Sequence, residues 1–385
     1  MKHKHIMHIK PLLLAILCVF IFTACGQKKK KDATEINHSQ GEKIEIKYAK
    51  GFSIQDFGDY KLIDVQDPSG ESELKYQYAL IPRGTHPTNI PSEYLKVETP
   101  VRSVICMTSL QISNFIKLDA VDRITGITST RFLFNEEINK QLEEKKTHKI
   151  GIEGDFDSEL VIALNPDMIL VSPFKRGGYD AIRNLEIPLI SFLGYKEVTP
   201  LGQAEWIKFT AALLGLEDEA NVKFKAIEDR YLELKALVEN VEKRPTVLSG
   251  ELHSGNWYVV GGESYLAQLF RDAGAQYFMK NDNESGGFYV DFETVYSQGA
   301  EADFWRIVNS YNGDFSYDIL KQTDGRYADF KAYKEKKVIY SNLREVPFYE
   351  QTPVEPEVIL ADLIKVFHPT LLSDHEAVYY KLLTQ

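Results

Sequence analysis

Two stretches of this chain carry one pattern. GDFDSELVIALNPDMILV begins at Gly154 and VDFETVYSQGAEADFWRIV begins at Val290. Each places Asp-Phe before a Glu that opens an apolar turn, then a Val, an acid and an apolar run. The first copy predicts a short helix over 158–164, stopped by Asn165-Pro166, and a buried strand at MILVS. The second predicts a helix from Phe292 and a strand at FWRIV. A chain that uses the same helix–strand unit twice is constrained to two similar halves, each an α/β layer.

The flanks agree. From Thr99, the segments RSVICM, ITGIT, MILVS and PLISF read as strands, separated by helical patterns at 109–118, 134–146 and 179–186. After Arg244-Pro245, strands are predicted at TVLSG, WYVVG and KVIYS. Helices are predicted at SYLAQLFRDAGA, closed by Gly274, and over 355–367, with Pro356 in the first turn. Between the halves, PLGQAEWIKFTAALLG reads as a helix ended by Gly215. Then Phe224, Ile227, Tyr231, Leu234, Val238 and Val241 recur at intervals of 3, 4, 3, 4 and 3. A helix over 218–241 would run roughly 36 Å, enough to span two lobes. The expected fold is therefore α/β: two Rossmann-like lobes, 99–200 and 244–385, joined by one long helix within a helical connection, 201–243. Residues 44–98 are rich in Ile, Tyr, Phe and Val, broken by Gly, Asp and Pro, and predict a small β-rich extension. Residues 25–43 are polar and aperiodic, as in a flexible linker.

Residues 1–24 have the form of a secretory signal. Lys2, Lys4 and Lys10 precede PLLLAILCVFIF, too short for a membrane span, and Thr23-Ala24 precede Cys25. The stretch resembles the bacterial lipobox, with Phe22 where Leu is usual, so Cys25 is expected to carry lipid and hold the chain at a membrane. Removal of Cys18 with the leader and lipidation of Cys25 leave only Cys106, so the mature chain has no intrachain disulfide. A fold exported without one needs a large core. The formal charge of −11 becomes −14 without the three leader lysines, which argues against nucleic acid as a partner. The four lysines 28–31 beside the lipid read as a solvated tether or as attraction to anionic headgroups.

Four pieces in order, GDFDSELVIALNPDMILVS, AEWIKFTAALLGLEDEA, GGESYLAQLFRDAGA and EPEVILADLIKVFHP, resemble the helical-backbone substrate-binding proteins of ABC importers that deliver ferric siderophores, cobalamin and haem. The likeness covers about 99–371; the β extension lies outside it. It implies two lobes with ligand in the cleft, an ABC permease with its ATPase as partner, and a monomer with no cofactor, anchored in the periplasm or cell envelope. It also implies that the repeated acids, Glu159 and Glu293, 134 residues apart, sit on the permease face and meet arginines there. A carboxylate in the first turn of a helix is also favoured by the helix dipole alone.

In such a fold, ligands sit where strand C-termini face the cleft. That points to Thr108 and Ser109 after the first strand, with Ser109 equally readable as a helix cap, and to Arg131 after the second. In the second lobe it points to Trp257 beside a Gly-rich turn, Phe288 and Tyr289 in a flexible NESGGFYV loop, and Arg344, Phe348 and Tyr349 after KVIYS. Large aromatics suit a broad or flat ligand, and arginine suits carboxylate, catecholate or phosphate oxygens. Several of the aromatics are equally compatible with a place in the core. The histidines outside the leader, at 38, 86, 148, 253, 368 and 375, form no short ligand spacing, so any metal is expected to arrive already chelated. Two other classes stay open. One is an envelope interaction lipoprotein that uses the β extension. The other is a metal-chelate-processing enzyme, for which no GxSxG, P-loop or HExxH motif speaks.

Overall fold

The computed structural model describes residues 41–70, 72–152, 155–173 and 179–384; the leader, Cys25 and most of the linker lie outside them. The chain first builds a five-stranded sheet: β1 (Glu42–Lys43), β2 (Phe52–Asp56), β3 (Lys61–Gln66), β4 (Lys75–Pro82) and β5 (Leu95–Thr99), in sequence order. Period-two alternation turns Phe52, Ile54, Ile63 and Val65 inward. They join the same core as Trp206 and Phe209 of the connecting helices, with Phe52 and Trp206 edge to face at 4.9 Å.

The first lobe is β6 (Val104–Cys106), α1 (Ser109–Lys117), β7 (Ile124–Ile127), α2 (Glu136–Glu143), β8 (His148–Lys149), a small hairpin of β9 (Gly151–Ile152) and β10 (Asp155–Phe156), α3 (Ser158–Leu164), β11 (Met168–Val171), α4 (Asp180–Arg183) and β12 (Leu189–Ser191). Its parallel sheet has the order β12-β11-β6-β7-β8, so connections leave β6 in opposite directions. This is the doubly wound arrangement whose crevice lies at that reversal. Asn165 ends α3 in the left-handed region at φ 42°. The edge strand β12 is covered by the extension, where the Ser191 amide donates to the Tyr78 hydroxyl at 2.8 Å.

The connection holds two helices, α5 (Pro200–Leu214) and α6 (Glu217–Leu237), parted by Gly215 at φ 71°. α6 stops four residues before Val241. The carbonyls of Val238 and Glu239 accept from the Arg244 guanidinium, at 3.1 and 3.3 Å, and Val238 keeps only an i+3 amide, that of Val241, at 3.5 Å. The apolar spacing runs past the helix because Val238 is still buried in the core.

The second lobe is β13 (Thr246–Ser249), β14 (Leu252–His253), β15 (Asn256–Val260), α7 (Tyr265–Asp272), β16 (Gln276–Tyr277), β17 (Gly287–Val290), α8 (Phe292–Gly299), β18 (Phe304–Asn309), α9 (Tyr317–Thr323), α10 (Lys331–Lys334), β19 (Val338–Asn342), α11 (Phe348–Gln351), α12 (Pro356–Phe367) and β20 (Lys381–Leu382). Its main sheet has the order β16-β13-β18-β19-β20, parallel except for β20, with the reversal between β13 and β18. Two expectations change here. WYVVG belongs to a separate antiparallel sheet, β14-β15-β17, and part of the expected loop at 283–290 is its strand β17.

The repeated pattern now has a physical explanation. Asp157 and Asp291 are the N-caps of α3 and α8, accepting from the amides of Leu160 (2.9 Å) and Thr294 (2.6 Å). Glu159 and Glu293 are each two residues past the cap. The later acids tie the start of the following strand to its neighbour. Asp167 accepts from the Arg102 amide at 2.7 Å, and its own amide donates to Ser103. Asp303 accepts from the Thr246 amide at 2.9 Å, and its own amide donates to the Thr246 hydroxyl. Each lobe uses one device for one purpose.

Candidate functional site

The loops that follow β7, β18 and β19 meet between the lobes. Arg131 of the first lobe donates through Nη2 to the Ser310 hydroxyl at 3.2 Å, and Arg344 of the second donates through Nε to the Ser310 carbonyl at 2.8 Å. Both guanidiniums lie near the Phe132 ring, at 4.6 and 5.7 Å from its centroid. Both arginines are exposed, and among the described residues neither has a carboxylate within ion-pair distance. Two uncompensated cations that converge on one serine make a local positive potential, and their planar forks match carboxylate, catecholate or phosphate oxygens.

The floor of this region is tightly built. Gln111, fully buried on α1, accepts from the amides of Met107 (2.7 Å) and Thr108 (3.2 Å) and donates to the Ser172 hydroxyl at 3.3 Å, binding together the ends of β6 and β11 at the reversal. Across the lobes, the buried Glu350 of α11 accepts the Phe134 amide on both oxygens, at 3.1 and 3.0 Å. Burial pushes its carboxyl above the usual range. Lys117 of α1 pairs with Glu355 at 3.3 Å, and the Tyr379 hydroxyl donates to Glu355 at 2.7 Å. Gln111, Ser310 and Glu350 carry no signal in the sequence, because an isolated Gln, Ser or Glu after an apolar run reads as ordinary loop chemistry.

The sequence-predicted residues divide. Arg131 and Arg344 come together, and exposed Tyr349 sits one residue into α11, with its ring 5.5 Å from that of Phe348. Phe348 itself is half-buried against Tyr379 and Tyr380, so much of its surface seals the lobe contact. Thr108 is the N-cap of α1, and Ser109, read as a possible cap, is instead the first helical residue; both are half-exposed. On β17, Phe288 faces the lobe core, while Tyr289 is 62% exposed and pairs edge to face with Tyr258 at 5.3 Å. Trp257 is corrected. It is wholly buried among Trp305, Tyr327, Phe330 and Phe292, with ring centroids 5.7 to 6.4 Å away. Its Nε1 donates to the Ser249 carbonyl at 3.0 Å, and Trp305 does the same for the Gly250 carbonyl at 2.7 Å. Strand alternation decides this: β15 pairs Trp257 with Val290 on the inward face, so the aromatic at hand for a ligand is its neighbour Tyr258.

Glu159 and Glu293 are both exposed at helix starts. Glu293 is 80% exposed by its side chain, 3.9 Å from Arg326. Among the described residues, no group of three or more His, Cys, Asp or Glu is placed to hold a metal ion, and no helix is long and apolar enough to cross a membrane.

The model of a family described as periplasmic binding protein matches residues 104–342, the first lobe, the connection and the second lobe through β19. The chain belongs to the periplasmic binding protein family. Two uncharacterized lipoproteins of Methanocaldococcus jannaschii are similar to this binding protein along nearly its whole length. One is 24% identical over 96% of both chains; the other is 23% identical over 97% of this chain and 99% of its own. Since these alignments run past the family segment, they take in the β extension. Among solved structures, the molybdate periplasmic binding protein MolA of Haemophilus influenzae superposes with a TM-score of 0.56 at 17% identity, over 72% of this chain and 89% of its own. A periplasmic heme binding protein from Pseudomonas aeruginosa gives 0.55 at 18%, over 70% and 94%. These two establish the shared fold. The family is one of solute-binding proteins of ABC transporters.

Proposed function

We propose that this binding protein captures a metal chelate bearing anionic oxygens, such as a ferric siderophore, a corrinoid or haem, between its two lobes and delivers it unchanged to an ABC permease. Lipid on Cys25 would hold it outside the cytoplasm. The observation that carries the reading is the convergence of Arg131 and Arg344 on Ser310, one cation from each lobe, with no carboxylate among the described residues within ion-pair distance of either. A ligand that bridges both would supply the missing charge and draw its contacts from both lobes at once. Exposed Tyr349 and Tyr289 would give such a ligand aromatic surface. The diversity of cargo named for the fold relatives, molybdate and haem among them, is consistent with a scaffold whose loops set specificity. Glu159 and Glu293, on equivalent turns of the two lobes, would each meet an arginine of the permease. Exposed ion pairs of this kind are worth only ~0.2–1 kcal/mol, so they would set orientation and rate more than affinity.

The test is native mass spectrometry against a panel of ferric siderophores, corrinoids and haem. One chelate is expected to bind at a ratio of one to one and to be recovered chemically intact. Turnover of the bound chelate would instead favour an enzyme, and no binding across the panel would count against the carrier reading.

A further inference from the structure

The central strand of the second lobe carries a charge where strands carry apolar residues. Arg306 lies in the middle of β18, in register with Ser249 on β13 and Ile339 on β19. Its Nε and Nη2 donate to the Tyr380 hydroxyl at 3.0 and 2.6 Å, and its Nη1 donates to the Ser249 hydroxyl at 3.3 Å. A guanidinium has five N–H donors, so this set leaves capacity over. Among the described residues none of its partners is a carboxylate, and a half-buried cation without an ion-pair partner is costly to the fold.

Beside it lies a cavity of about 220 Å³, lined by Ser249, Gly250, Glu251, Tyr258, Tyr277 and Arg306, with apolar walls from the Val259–Val260 end of β15 and from Leu266 and Val308. Among the described residues the buried Tyr277 hydroxyl has no hydrogen-bond partner of normal geometry, and its one backbone interaction is with Val260. The cavity sits at the C-terminal ends of β13 and β18, the point where the strand order of the lobe reverses, and this is where open α/β sheets bind ligands. Gly250 keeps it open. It holds φ at +95°, and a Cβ there would fall 2.6 Å from the Tyr258 carbonyl. The two tryptophans that bond the Ser249 and Gly250 carbonyls fix this wall from behind. At the other end, Glu251 interacts with Asn309, the residue before Ser310, so the cavity adjoins the arginine pair of the cleft. At roughly 30 Å³ per water, it holds the volume of about seven waters. That is too little for a whole chelate and suited to one arm.

We propose that this cavity is a subsite for a carboxylate-bearing arm of the cleft ligand, held by Arg306, Tyr277 and Ser249. The proposal rests on the carrier reading above. A planar carboxylate matches the spare guanidinium donors, and the Tyr277 hydroxyl supplies a further bond. Burial raises the Glu251 carboxyl, so the far end favours a hydroxyl or amide on the same arm over a second anion.

Calorimetry with citrate, free and as its iron(III) complex, and with an iron(III) trihydroxamate that has no carboxylate, tests it. Wild-type protein is expected to bind the citrate probes. Tyr277→Phe is expected to weaken them about 3- to 10-fold while melting no lower than wild type, because the hydroxyl it removes makes no hydrogen bond of normal geometry. Arg306→Gln is expected to weaken them by about 30-fold or more. Any trihydroxamate affinity is expected to be the same in all three proteins. Unchanged citrate affinity in folded Tyr277→Phe and Arg306→Gln would overturn the subsite, as would a wild-type protein that binds the trihydroxamate, haem or a corrinoid but neither citrate probe. In both of those cases the carrier reading stands. A wild-type protein that binds no probe of any class removes both.

Discussion

Replacing Glu205 by alanine tests whether the β extension is part of the fold or an added module. The Glu205 carboxylate is fully buried on α5. It accepts from the amides of Lys47 (2.9 Å), Tyr48 (2.6 Å) and Ala49 (2.9 Å) and from Lys208 Nζ (2.7 Å). Eight residues earlier in the chain, before α5 begins, buried Glu197 accepts from the amides of Lys50 and Gly51 and from Trp206 Nε1, all at 2.9 Å. Five successive amides of the extension thus end on two carboxylates, Glu197 just before the connection and Glu205 within it. Hydrogen bonds to a charged group contribute about 1.5–3 kcal/mol each. Lys208 can swing toward water and the 47–49 turn can partly rehydrate, so the net loss for Glu205→Ala is expected near the 3–5 kcal/mol typical of breaking a buried pair. Glu205→Gln, which keeps an acceptor oxygen, is expected to lose about half of that. Urea unfolding of the Cys25→Ser protein, followed by tryptophan fluorescence, measures both. A loss below about 1 kcal/mol for Glu205→Ala would refute the reasoning. So would a chain lacking residues 41–99 that unfolds at the wild-type midpoint, since its removal strips Phe52 and Ile54 from the core around Trp206.

Trp257→Ala is expected to cost about 3–5 kcal/mol of stability, with ligand affinity per folded molecule little changed; a fully stable variant that has lost binding would return Trp257 to the site. Glu357 is half-buried with one oxygen unpartnered, and burial raises its carboxyl from the ordinary 4.5 to about 7. Its ionisation therefore opposes folding as pH rises from about 4.5 to 7, and Glu357→Gln is expected to raise the melting temperature at pH 8 but not at pH 4; an equal shift at both would contradict that sign. Glu159→Lys with Glu293→Lys is expected to leave ligand affinity unchanged and to depress uptake into proteoliposomes carrying the cognate permease more than either single change; normal uptake would leave both acids as ordinary helix starts.

The lobes were legible because their signals are local. Asn165-Pro166, Gly215 and Gly274 end helices by backbone geometry that a sequence displays directly, and the repeated acid–helix–strand unit declares the pseudo-symmetry. The arginines were legible as residues that follow strands, since strand ends define a cleft. What stayed hidden depends on long-range pairing. Trp257 looked available beside a glycine-rich turn, and only its pairing with Val290 shows that it points inward. The union of the extension with the connection rests on Glu197, in the turn before α5, and on Glu205 within α5, and acids in a turn or a helix read as solvent-facing. Arg306 was passed over within FWRIV because an apolar run hides a single charge, and the absence of a counter-ion is a property of the packed lobe.

The central claim is that one cation from each lobe holds the cargo. The most direct measurement is calorimetry of the Arg131→Ala, Arg344→Ala and double variants against whichever chelate the wild-type protein binds. Each single change is expected to weaken binding about 10- to 100-fold, and the double change by more than either, with melting temperatures close to wild type because both guanidiniums are exposed. Wild-type affinity in the double variant would contradict the account.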